Sequence, residues 1–410
     1  MHRAGFFPVI SVVVVAVASI DARASGGAAG RSATDWSVAG GALRGDRRLA
    51  ALVRELDEAR LEGLRRVEER CGLRPGALPI EWRLVDRPVG PGAASAGGHV
   101  DVYAGGRGFH AGETVVDATR VVVTIPAHRY LARPRKVRRV VVHEAAHAVL
   151  ASRLASAERY AAVPEWLREG IALWVSGEGS ERVDSRVAIA LLAGSPPASF
   201  LRGLDKHPMP AEAWLAFRSI ETRVGTERTR RFVAAIGDGA PAESAIAEAL
   251  GLHAGEAARW IRRDVERAVD ELLFPGDARR VTSALAARVE GRPADAAREL
   301  ESLAERDRQR DGRRPLATTF RYLLAGVLLE SGQVSEAREA LVALLPEDRE
   351  VFWEPEILAR LAECERRLNR PQRAVRYWNE VLERFPEDRE VSARARAELA
   401  RAHPGDAGEE

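Results

Sequence analysis

The sequence predicts an α+β fold: a small N-terminal sheet, a buried helix after it, a helical C-terminal lobe, and finally α-helical repeat hairpins. Three observations carry this. Short alternating or β-branched segments cluster ahead of residue 126, apolar residues recur at helical spacing from Val137 onward, and the last third repeats one internal spacing three times. The 410 residues leave room for two or three domains, and a composition of 46% hydrophobic and 30% charged residues excludes a disordered chain. A formal net charge of +2, with Arg interspersed among Glu and Asp, gives no indication of nucleic acid as a partner.

At the N-terminus, His2 and Arg3 precede an apolar run from Ala4 to Ile20, and Ala22-Arg23-Ala24 supplies small residues at cleavage spacing. Residues 1–24 therefore read as a signal peptide cut after Ala24, which places the mature protein in the periplasm or outside the cell. Membrane association follows only if this segment stays uncleaved; the run contains Pro8 and is shorter than the roughly 20 residues that span a bilayer. Cys71 and Cys364 fall in different predicted domains and are expected to be free thiols. Residues 25–45, rich in Gly, Ala and Ser, read as a flexible linker.

The next predicted domain spans 46–275. It opens with a charged amphipathic helix from about Arg47 to Glu69, in which Leu49, Leu52, Leu56, Leu61 and Leu64 lie near helical period. Strand candidates follow at Ile80–Val85, His99–Tyr103 and Val121–Ile125, with glycines from Gly90 to Gly112 breaking them into hairpins or loops. Arg129, Arg133, Arg135, Lys136, Arg138 and Arg139 then form a basic cluster. It offers a surface for acidic substrates or lipid head groups or, more simply, a solvated loop and helix start.

The chemistry sits just beyond. His143-Glu144-Ala145-Ala146-His147 lies inside an apolar segment, Val137 to Leu150, that reads as a buried helix. Residues four apart stand one turn above each other, so both imidazoles can reach one zinc ion at about 2.0–2.1 Å. Glu144 points roughly 100° round the helix from His143, where a carboxylate can take a proton from a water that zinc acidifies without itself ligating the metal. Catalytic zinc usually takes three protein ligands, and Glu169, in Pro164-Glu165-Trp166-Leu167-Arg168-Glu169-Gly170-Ile171-Ala172, can supply the third.

H-E-x-x-H followed by W-L-x-E-G-x-A resembles the gluzincin metallopeptidases, in particular the bacterial peptidase-MA-like proteins. The resemblance extends to about residue 270 through Val224-Gly225-Thr226-Glu227-Arg228, Ala245 to Gly251, and Trp260. It implies Zn2+ held by His143, His147 and Glu169, with Glu144 as general base and a peptide or protein as substrate. It also implies a small sheet whose edge strand pairs with the extended substrate, for which Val121–Ile125 is the candidate. Gluzincins usually supply a tyrosine or histidine to the oxyanion; here Tyr160, His207 and the indole of Trp214 are the available donors, with Trp214 at helical spacing also readable as core. In some gluzincins the acid behind a ligating histidine lies one turn after the glutamate ligand, where this chain has Leu173. A backbone carbonyl or Glu165 is left for that role, and Glu165 also suits the start of a helix. His99, His110, His128 and His253 are scattered singles and read as structural.

The last third changes character over residues 276–402. Gly291 with Ala296 and Leu300, Gly332 with Ala337 and Leu341, and Asn369 with Ala374 and Trp378 share one spacing; Gly332 follows Gly291 by 41 residues and Asn369 follows Gly332 by 37. Pro346-Glu347-Asp348-Arg349-Glu350 recurs as Pro386 to Glu390. These units resemble tetratricopeptide repeats, in which Gly or Asn makes the turn and a small residue lets two antiparallel helices approach. A protein partner bound through the repeats is the implication, and residues 403–410 read as a disordered tail. Two functions follow: an exported zinc metallopeptidase with a repeat appendage, or a repeat-based protein-binding scaffold whose peptidase-like domain is inactive.

Overall fold

The computed structural model describes residues 37–39, 47–85, 113–180, 183, 210–272, 275–308, 317–346, 351, 353–386 and 388–402. The expected signal peptide at 1–24, the strand candidate His99–Tyr103, His110, His207 and residues 403–410 lie outside the described residues. The fold is α+β, as the sequence predicts. Strands β1 (Ser37–Ala39), β2 (Ile80–Val85), β3 (Glu113–Val116) and β4 (Val121–Pro126) form one sheet in the order β1-β2-β4-β3. β1 and β4 run parallel to β2, and β3 pairs antiparallel with β4, Thr114 opposite Val123. β1 falls within the expected 25–45 linker, so part of that segment is a strand whose main chain pairs with β2.

The sheet corrects one expectation. Val121–Ile125 is an interior strand and cannot take an added strand, because β2 and β3 occupy both its sides. Its buried positions fall on both faces, as expected for a β-branched run in the middle of a covered sheet. Among the described residues the edge beside the site is β3, a four-residue strand that its short length kept from being recognised in the sequence.

Helix α1 (Leu49–Cys71) packs against α2 (Val137–Leu154) through Leu52, Leu56, Ala59, Gly63 and Val67. Leu61, counted in the apolar period, points the other way and is 59% exposed. A Cβ at Gly63 would stand 2.7 Å from Ala145 Cβ and 3.2 Å from Val142 Cα, so a side chain there would push the helices apart. Ala145 lies between the two histidines of α2, and the close approach at Gly63 therefore seats that turn of the helix.

Short α3 (Ala157–Ala162), capped by Ser156, leads into α4 (Glu165–Ser176), and α5 (Pro210–Val224) packs against α4. A Cβ at Gly170 would meet Phe217 Cβ at 2.6 Å, which is why glycine follows Glu169. Helices α6 (Thr226–Gly237), α7 (Ala242–Leu250) and α8 (Ala254–Leu272) complete the lobe.

Three hairpins follow: α9 (Pro275–Val289) with α10 (Pro293–Arg308), α11 (Ala317–Glu330) with α12 (Val334–Val342), and α13 (Glu354–Arg367) with α14 (Pro371–Arg384); α15 (Arg389–Ala402) covers the last. Gly291, Gly332 and Asn369 sit in the turns at φ 77°, 82° and 56°, the left-handed conformation that ends a helix. Ala296, Ala337, Ala374, Leu300, Leu341 and Trp378 are all buried. Asp388 of the recurring pentapeptide accepts from Val391 N at 3.1 Å, which caps the start of α15. One contiguous apolar cluster runs from Leu52 through the lobe to Val327, without a break at residue 275. No helix of the described residues is long and apolar enough to cross a membrane.

Part of the basic cluster joins the start of α2 to the last hairpin and to α1, while Arg133 and Arg135 stay exposed. Lys136 Nζ lies 2.9 Å from Glu354 Oε1, both buried. Arg384, fully buried, donates through Nε to the Arg129 carbonyl at 2.8 Å, and through Nη1 to Glu354 and to Glu380, the latter at 3.1 Å. Arg133 pairs with Glu380 at 3.1 Å, while Arg138 reaches Glu55 and Glu58 of α1. Burial alone would push Glu354 up, but Arg384 and Lys136 outweigh it and hold the carboxyl below its ordinary value. Lys136, Arg133 and Arg138 thus already have carboxylate partners, while Arg133 and Arg135 keep the exposure expected of a solvated loop.

Candidate metal centre

His143, His147 and Glu169 meet in the core. Helix α2 presents both imidazoles on one face, and α4 crosses it so that Glu169 points at them. His147 Nε2 lies 3.2 Å from His143 Nε2 and 3.1 Å from Glu169 Oε1, and His143 Nε2 lies 3.7 Å from Glu169 Oε2. Four-coordinate zinc with bonds of about 2.0–2.1 Å places neighbouring donors about 3.3–3.4 Å apart, a spacing close to that of the two imidazole nitrogens and of each nitrogen from one oxygen of the Glu169 carboxylate. All three residues are buried, and two nitrogens with one carboxylate oxygen make a donor set suited to zinc.

The far sides of the rings are held by residues that no local spacing flags for the purpose. His147 Nδ1 is 3.0 Å from the Tyr160 hydroxyl; in the tautomer that leaves Nε2 free, Nδ1–H donates to that oxygen. The Arg168 guanidinium lies over the Tyr160 ring, 4.7 Å from its centroid, and pins it. Of the three candidate oxyanion donors, Tyr160 thus stands on the Nδ1 side of His147, across the ring from the Nε2 that faces Glu169. Behind His143, Glu178 Oε2 is 3.5 Å from Nδ1, too long for a strong hydrogen bond but close enough for charge attraction. Glu178 lies nine residues after Glu169, beyond the chain reversal at Gly177 (φ 78°), where helical spacing no longer counts. Glu165 stays in the first turn of α4, as its helix-start reading has it. Trp214 packs against the core, and its ring covers Gly179, where a Cβ would come within 2.0 Å of Cδ2. The core reading of Trp214 fits that packing.

Glu144 is buried beside the ligands and accepts a hydrogen bond from Thr114 Oγ1 at 2.6 Å. Burial pushes its carboxyl up, against the opposing pull of the two histidines. His143 shows the converse. Burial lowers it, yet Glu178, Glu169 and Glu144 raise it to about 9. Three carboxylates around two imidazoles leave the pocket short of positive charge, and a dication there would favour the ionised form of every acid.

A family profile for the tetratricopeptide repeat matches residues 287–351, which spans α10 to α12 and the turns at Gly291 and Gly332. That stretch is similar to the repeat in sequence as well as in hairpin geometry. Nothing among curated proteins or solved structures matches the chain.

Proposed function

We propose that this protein is an exported zinc metallopeptidase of gluzincin, peptidase-MA-like type, with tetratricopeptide-like hairpins as a protein-binding appendage. The observation that carries the reading is the buried set of His143, His147 and Glu169, whose ligating atoms lie within 4.8 Å of one another, with a second acid, Glu144, beside them and in contact with Thr114. Zinc held by His143, His147 and Glu169 would act as a Lewis acid towards a water and a substrate carbonyl. Glu144 takes the proton of the attacking water and returns it to the departing amine, and its burial favours both transfers by keeping bulk water away. Tyr160 and Glu178 hold the imidazoles in the ligating orientation. Substrate backbone would add beside β3, the edge strand among the described residues and the one against α2. The charged start, apolar run and Ala22-Arg23-Ala24 support export to the periplasm or beyond.

The family match supports a protein-binding role by itself, whatever the metal centre does. Helices α11 and α13 are covered almost all round, so a partner would meet the exposed polar faces of α12 and α14. The test is elemental analysis together with peptide-library cleavage by wild type and Glu144→Gln. Stoichiometric zinc in both, with hydrolysis lower in the variant by about 10²- to 10⁴-fold, is the expected result. Zinc-loaded wild type that cleaves nothing beyond what the variant cleaves would leave the repeat-based scaffold as the function.

A further inference from the structure

Thr114 is the second residue of β3 and is buried against α2, where its hydroxyl reaches Glu144 Oε2 at 2.6 Å. Its own placement comes from the sheet. The ladder to β4 sets Thr114 opposite Val123, and a β-branched side chain has few χ1 choices. Glu144, by contrast, is a long side chain with several rotatable bonds on a different element. Fixing such a side chain costs rotamer freedom, and a hydrogen bond from a rigid donor offsets part of that. The donor and the carboxylate are 30 residues apart, on strand and helix, so the contact exists only because β3 lies along α2.

We propose that Thr114 is a positioning residue: its hydroxyl aims the Glu144 carboxylate at the space in front of His143 and His147. The inference rests on the reading of Glu144 as general base. It also ties the base to the edge strand expected to receive substrate, so the alignment of acid, metal ligands and substrate backbone comes from one sheet–helix contact.

The test uses full-length, zinc-loaded protein carrying Thr114→Val, which removes the hydroxyl while keeping size and strand preference, and Thr114→Ser, which keeps the hydroxyl. With a quenched fluorogenic peptide library as probe, Thr114→Val should lower kcat by about tenfold or more while KM and zinc content stay within about twofold, and Thr114→Ser should stay within about threefold of wild type. A second readout does not depend on turnover. Acetohydroxamate, a small zinc chelator whose polar hydrogens need a carboxylate acceptor beside the metal, should bind about tenfold more weakly to Thr114→Val and to Glu144→Gln, but not to Thr114→Ser. Full kcat and unchanged acetohydroxamate affinity in Thr114→Val would overturn the proposal, as would a serine variant as impaired as the valine one. If wild type and Glu144→Gln cleave equally, the peptidase reading fails, and the acetohydroxamate series still decides whether Thr114 places the carboxylate. A protein that takes up no zinc would overturn both.

Discussion

At the N-terminal end of α2, Lys136 and Arg384 face Glu354 and Glu380; about two turns further on, His143 and His147 face Glu144, Glu169 and Glu178. Both clusters are buried and both join α2 to distant parts of the chain, yet their charge arithmetic differs. In the first, each carboxylate contacts at least one cation, and Glu354 contacts two. In the second, three acids surround two rings, and the strain shows in His143, pushed up to about 9, and in Glu144, whose carboxyl is pushed up by burial. A closed cluster needs nothing more and serves to hold the molecule together. An open cluster of the same depth has use only for a ligand that brings charge, which is why the second is the candidate site and the first is not.

The contrast can be broken most directly at Glu354. Glu354→Gln leaves Lys136 and Arg384 as buried charges without their shared counter-ion and should cost about 3–5 kcal/mol in urea unfolding. Glu169→Gln should leave the metal-free fold unharmed, because it removes one acid from an excess, while zinc uptake is lost. A loss below about 1 kcal/mol for Glu354→Gln would mean the closed cluster is ornamental. The same carboxyl predicts an acid limb. Its native pKa lies below the ordinary 4.5, so its contribution is complete above 4.5 and is lost as pH falls through the depressed native value. Wild type should therefore lose stability more steeply below pH 4.5 than Glu354→Gln, as read from chemical denaturation at a series of pH values.

The open cluster is sharpened by the residues behind it. Tyr160→Phe and Glu178→Gln should each weaken zinc about 10- to 100-fold in a chelator-competition titration, with the three ligands intact. The smallest effect belongs to the rim of the closed cluster. Arg133 is half-exposed where it meets Glu380, and Arg133→Ala should change stability by less than about 1 kcal/mol in the same urea experiment. A larger loss would extend the closed cluster outward to include Arg133.

Legibility followed distance along the chain. The histidine pair was readable because four residues make one helical turn, and the repeat turns because Gly291, Gly332 and Asn369 mark the left-handed residue that ends a helix. Glu178 and Thr114 were not readable. Glu178 reaches His143 only after the chain reverses at Gly177, and Thr114 reaches Glu144 across a strand–helix packing that no period encodes. Tyr160 was visible as a hydroxyl near the site, but the side of His147 on which it stands depends on how α3 is folded back against α2.

By itself, then, the sequence determined the α+β class, the two imidazoles and the acid between them on one buried helix, and three hairpins with alanine at their contacts. Each of these depends on backbone geometry within a few residues, which side-chain pattern controls directly. The tertiary structure alone decided that Val121–Ile125 lies inside the sheet with β3 at its edge, and that Glu169 arrives at the distance a metal needs. It also decided that Lys136 is buried against Glu354 and that Arg133 reaches Glu380 from the surface. The pattern of a segment says which face is apolar or charged. What covers that face is set by the packing of elements far away in the chain, where close approach at Gly63 and Gly170 and the pairing of buried charges select one arrangement.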